Sequence, residues 1–192
     1  LPSEPYWGQD KWLGGTSSWD GKLIYGVPGT AQQVLCIDTE TGASTLLGGP
    51  YVGKFKWLRG VACPNCVYAL PSCAHTVLRV DPDTQKVSTI DYGAKGDETW
   101  QWHGGIYSNG CVFAVPCNAE HVLKINPDND QVELIGGPWN GSHKWYGGIL
   151  ASNGAMYCIP QAAAGVLKVD TNTCECTVIG VETCESTLAD CP

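Results

Sequence analysis

One unit, begun at residues 11, 56, 101 and 144, is written four times along this 192-residue chain. The copies open on Lys11-Trp12-Leu13-Gly14-Gly15, Lys56-Trp57-Leu58-Arg59-Gly60, Gln101-Trp102-His103-Gly104-Gly105 and Lys144-Trp145-Tyr146-Gly147-Gly148. Each continues through an aromatic (Tyr25, Tyr68, Phe113, Tyr157), a proline (Pro28, Pro71, Pro116, Pro160) and a Val-Leu pair, then reaches Asp38, Asp81, Asn126 or Asp170. Repeats of this period build arrays or propellers, because one unit cannot bury its apolar surface without a neighbour. Letters shared by all four copies are therefore expected to be scaffold. Function is expected where the copies differ.

Composition narrows the class. Charged residues make up 16%, and Gly 24, Pro 12 and Trp 8 favour tight turns and aromatic packing over long helices. A net charge of −8 weighs against nucleic acid or an anionic membrane surface as partner. No apolar run approaches the ~18 residues of a membrane span. Eleven cysteines without the paired spacing of a zinc ribbon read as disulfides of a secreted protein, and the odd count leaves one thiol free or joined to another molecule. The sequon Asn140-Gly141-Ser142 points to glycosylation on the same route, and a first residue Leu1 fits a removed leader. No cofactor or metal motif is present, so none is expected.

Within a copy the hydrophobic period is that of short strands. In the fourth, apolar runs at 146–151, 155–159, 166–169 and 176–179 are separated by Asn153-Gly154, the loop 161–165 and Asp170-Thr171-Asn172-Thr173. Four antiparallel strands per unit and no helix predict an all-β fold, a four-bladed β-propeller of four-stranded antiparallel blades. The blades span 11–55, 56–100, 101–143 and 144–180, with an N-terminal extension 1–10 and a Cys-containing tail 181–192. Closure of one eight-bladed ring by two chains is the alternative.

The stretch from Val77 to Val87, with its counterpart from Val122 to Val132, resembles the strand-turn-strand of YVTN-like and kelch-like propeller repeats. The paired glycines and the tyrosine ahead of that turn also look kelch-like, although the Trp-Asp signature of WD40 blades and the kelch tryptophan after the turn are missing. The Lys-Trp-x-Gly-Gly openings are also similar to uncharacterised repeat proteins of algae and protists. These resemblances imply an architecture and no particular activity.

Strand parity sorts the loops onto two faces. The first carries Asp38, Asp81, Asn126 and Asp170, which could bind calcium but lack the glycine and distal glutamate of an EF-hand loop and read first as turn residues. The second carries the ligand-binding candidates Trp100, Trp139, Tyr51, Tyr92, Glu98, Glu120 and His121. Aromatic rings there could stack on sugars or pack beneath the connections. Glu98, Asp97 and Glu120 could form an acid/base pair, yet no nucleophile elbow or phosphate loop accompanies them. Cys73 and Cys117 are placed for a bridge between blades two and three, with Cys184 and Cys191 as further disulfide candidates. Two cysteines with His75 and His121 could instead hold zinc.

These observations put a secreted, non-catalytic structural or adhesive protein first, with protein or glycan as partner and self-association into an oligomer or filament expected. A lectin-like propeller and a propeller enzyme, lyase or glycoside hydrolase, stand behind it.

Overall fold

The computed structural model describes residues 8–94 and 98–180, and within them sixteen strands form four antiparallel sheets. The first sheet holds β1 (Trp12–Ser17), β2 (Leu23–Pro28), β3 (Val34–Asp38) and β4 (Ser44–Leu47). The second holds β5 (Trp57–Cys63), β6 (Cys66–Pro71), β7 (Thr76–Val80) and β8 (Val87–Asp91). The third holds β9 (Trp102–Ser108), β10 (Cys111–Pro116), β11 (Val122–Asn126) and β12 (Gln131–Ile135). The fourth holds β13 (Trp145–Leu150), β14 (Ala155–Pro160), β15 (Val166–Asp170) and β16 (Cys176–Ile179). Each sheet runs in simple chain order, as expected of a blade, and the strands expected from the fourth copy fall within a residue or two of those observed. No helix among the described residues is long and apolar enough to cross a membrane. The tail cysteines Cys184 and Cys191, and Asp97, lie outside the described residues.

Alternation along each strand gives a blade two apolar faces, and the cores lie between blades rather than inside one. Tyr25, Val27, Val34 and Cys36 of blade one meet Trp57, Val67, Ala69, Leu78 and Val80 of blade two. Tyr68, Leu70 and Val77 meet Trp102, Val112, Ala114, Leu123 and Ile125 in the same way, and Phe113, Val115 and Val122 meet Trp145, Met156, Cys158, Leu167 and Val169. The inner strands β1, β5, β9 and β13 stand side by side. Gly14 allows this approach, since a Cβ there would collide with the Leu58 carbonyl of the next blade.

A second repeating device shapes the mouth of the axis. Phe55, Trp100 and His143, two residues ahead of each inner-strand tryptophan, have φ of 51°, 55° and 55°, and Asp10 matches them at 55°. Left-handed backbone is uncommon outside glycine. Here it turns two successive carbonyls onto one loop. The amides of Thr30, Cys73, Asn118 and Ala162 donate to the carbonyls of Asp10, Phe55, Trp100 and His143, while the next carbonyl accepts from the residues on either side. The strain is held by three backbone hydrogen bonds per blade, and it brings Trp100 and His143 to the axial groove.

Candidate functional site

Inner strands crowd at Gly14, where a Cβ would meet the Leu58 carbonyl, and at Gly104, where it would meet Gly147. The residue after each tryptophan (Leu13, Leu58, His103, Tyr146) lines a groove on the axis, and the four letters are not the same. The groove is a cavity of about 360 Å³, completed by Arg59, Trp100, Cys117, His143 and Gln161. It opens on the face of the second-to-third loops, because Cys117 and Gln161 follow β10 and β14. Arg59 stands where blades one, three and four have Gly14, Gly104 and Gly147, so one cation replaces a backbone-only position.

His103 is buried and lies flat on Tyr146, ring centroids 3.4 Å apart at 24°. Burial, and then the charge of Arg59, bring its pKa down to about 4. At neutral pH the imidazole is therefore uncharged, a hydrogen-bond and proton acceptor next to an exposed guanidinium. Burial raises the pKa of the Cys117 thiol, so it is protonated rather than a thiolate nucleophile. The groove thus offers one neutral base, one fixed cation and flat aromatic walls from Trp100 and Tyr146. Among the described residues no group of three or more His, Cys, Asp or Glu is arranged to hold a metal ion.

The sequence candidates divide among several places. Of the ligand-binding candidates Trp100 lines the groove, tilted against Phe55 at 5.2 Å between centroids, and the disulfide candidate Cys117 lines it too. Tyr92, Glu98, Glu120 and His121 do come together, in a cleft of about 510 Å³ at the rim between blades two and three. Yet Tyr92 packs edge-on against Trp102 and donates its hydroxyl to the Ala74 carbonyl, and His121 Nδ1 is hydrogen-bonded at 2.6 Å to the Gly136 carbonyl. Tyr51 and Trp139 repeat Tyr92's role, edge-on against Trp57 and Trp145 at 5.3 and 5.5 Å. These three rings are joints between a connection and the next inner strand. Asn140 lies beside Trp139 in an exposed connection.

The acidic turns likewise have local work. Asp38, Asp81 and Asp170 each accept backbone N–H bonds from residues two and three on, and Asn126 accepts one from Asp128. Those bonds hold the three carboxyl groups below their usual range. Cys73 and Cys117 carry free thiols, as do the other seven described cysteines.

Sequence reasoning missed Arg59, His103 and Tyr146. All three lie inside the Trp-x-Gly-Gly opening, read as scaffold because it recurs. The available signal was the one letter of that motif that changes to His and Tyr, and the glycine that becomes Arg.

No protein-family model and no curated protein matches the sequence. Solved structures do match. Virginiamycin B lyase from Staphylococcus aureus superposes with a TM-score of 0.72 at 16% identity, over 92% of this chain and 58% of that one. A catalytically inactive histidine-to-alanine variant of that lyase with quinupristin gives 0.73 at 18%, over the same shares. The WD40 repeats of RRP9 give 0.67 at 9%, over 90% of this chain and 52% of that one. The fold is a β-propeller. At such identities the likeness carries the fold, and this chain spans little more than half the length of each of these structures. The expectation of a non-catalytic structural or adhesive role is corrected here. Lyase propellers are among the strongest likenesses, so the enzyme reading that stood behind it is the better supported. The physical reason for the error is that the axial residues were assigned to the scaffold.

Proposed function

We propose that the protein is an enzyme of the lyase type, acting on a small carbonyl-bearing molecule held in the axial groove. The observation that carries this is the pair formed by a buried, uncharged His103 and the adjacent cation Arg59. Elimination needs a base to take a proton from carbon and a positive group where charge collects on the neighbouring carbonyl oxygen. His103 takes the proton and Arg59 faces the oxygen. The C–H electron pair becomes the new double bond, the leaving group departs with its bonding pair, and the proton on His103 passes to it. An imidazole with a pKa near 4 is a weak base in the empty groove. A substrate oxygen or carboxylate on Arg59 offsets that cation and raises the base strength of His103 during binding. Trp100 and Tyr146 supply flat apolar walls against which such a molecule can lie.

The likeness to lyase propellers supports this reading, as does the loss of activity in a histidine variant of one of them. The test is a panel of carboxylic esters and lactones followed by the ultraviolet absorbance of a newly conjugated double bond. A turned-over substrate should lose about a hundredfold or more in rate with His103→Ala, and a comparable factor with Arg59→Ala. Equal turnover by wild type and both variants would reject the assignment.

A further inference from the structure

Each internal junction repeats one pairing, in which the Tyr/Phe-bearing face of a blade meets the Trp-bearing face of the next. The two ends of the series leave one face of each kind uncovered. On blade four, Ile159 is 45% exposed, where the matching Val27, Leu70 and Val115 are at 2% or less, and Ile149 is exposed, where the matching Thr16, Val61 and Ile106 are half-buried or buried. Tyr157 is half-buried, while Tyr25, Tyr68 and Phe113 are fully covered. On blade one, Ile24 is 41% exposed, where the matching Val67, Val112 and Met156 are at 1% or less. Leu35 and Ile37 on the same face are half-buried, and their counterparts in the other three blades are fully buried.

The described residues do not cover these faces. Among the described residues β1 packs on β5, β5 on β9 and β9 on β13, and no comparable packing returns from β13 to β1. The four blades form an arc. Its superposition on 58% of a longer propeller chain fits an arc rather than a small closed ring.

We infer that a second copy of this chain docks head to tail on the arc, blade four of each copy packing on blade one of the other, to close an eight-bladed ring. The occupant follows from the repeat. The face left bare on blade four has already been matched three times, each time by the kind of face left bare on blade one. One copy presents one of each, so two copies related by a twofold axis satisfy all four bare faces. The new junctions continue an established interface with the same residue types at the same strand positions. Leu13 and Tyr146, at the two ends of the arc and exposed there, would border a groove shared between copies. The test of this inference is independent of the lyase reading, because Ile24 and Ile159 lie on blade faces outside the groove.

Sedimentation velocity and native mass spectrometry test it on the full chain, with Ile159→Asp and Ile24→Asp as variants. Both side chains are substantially exposed in a single copy, so the variants should fold, which circular dichroism checks. Wild type is expected at twice the chain mass of 20.5 kDa, independent of reductant, and each variant should weaken dimerisation about a hundredfold or more. A wild-type monomer at tens of micromolar overturns the inference. So does a dimer that neither substitution disturbs, and so do open filaments.

Discussion

His103 and Tyr146 join the third and fourth blades at the axis, ring against ring, and this contact helps to bury an imidazole that Arg59 also keeps uncharged. The folded pKa is near 4, below the ordinary 6.5. Between those values the unfolded chain binds the proton and the folded one does not. Stability therefore rises with pH through that window and is lost as pH falls from about 6.5 toward 4. The contribution is on the order of 2–3 kcal/mol. Chemical denaturation at a series of pH values should show this slope, and His103→Gln should flatten it while leaving the steeper loss below pH 4, where the turn carboxylates titrate.

After burial, the charge of Arg59 does most to hold the His103 pKa down. Arg59→Gly restores the motif of the other blades and removes the cation. Imidazole resonances followed by pH titration should then place the His103 pKa higher than in wild type, yet still under 6.5. No change on substitution would mean that the guanidinium does not face the groove.

Lys56 ties blade two to blade one. Its buried ammonium donates to the carbonyls of Gly29, Ala31 and Gly53 at 2.7, 3.0 and 3.0 Å, and burial lowers its pKa. Lys144 makes the same kind of bond to Gly141 at 2.9 Å. Removing one partner leaves buried carbonyls unpaired, so Lys56→Met should destabilise by about 2–4 kcal/mol in thermal or urea unfolding. Lys144→Met should cost less.

Between blades two and three, the buried Tyr68 hydroxyl donates to Asp130, and Arg79 Nε lies 3.1 Å from the same carboxylate. That separation makes an ion pair, although the angle at Nε is too poor for a hydrogen bond. Tyr68→Phe removes one hydrogen bond and should cost about 1–2 kcal/mol. Asp130→Ala leaves a buried hydroxyl without its acceptor and a guanidinium without its counter-ion, so its loss in melting temperature should be the larger. The reverse order would show that the carboxylate is solvated rather than shared.

Strand order and turns were legible because each is written locally and then repeated. Asn153-Gly154 is a strong hairpin signal, and the apolar run around Tyr157 is visible without a partner. What the repeat concealed was its own ends. Ile24 and Val67 occupy the same place in the motif, and only the count of neighbouring blades decides which is exposed. Tyr51, Tyr92 and Trp139 were readable as sugar platforms because their partners, Trp57, Trp102 and Trp145, begin the following copy. His103 and Arg59 were hidden by the weight given to a recurring motif, whose single variable letter points at the axis.

Crystals soaked with a library of small esters, lactones and carboxylates test the central claim most directly, since they report where this surface takes up ligand. The account predicts electron density in the axial groove, against Arg59 and His103 and between Trp100 and Tyr146. Density confined to the rim cleft of Glu98, Glu120 and His121, with the groove empty at every soak, would contradict it.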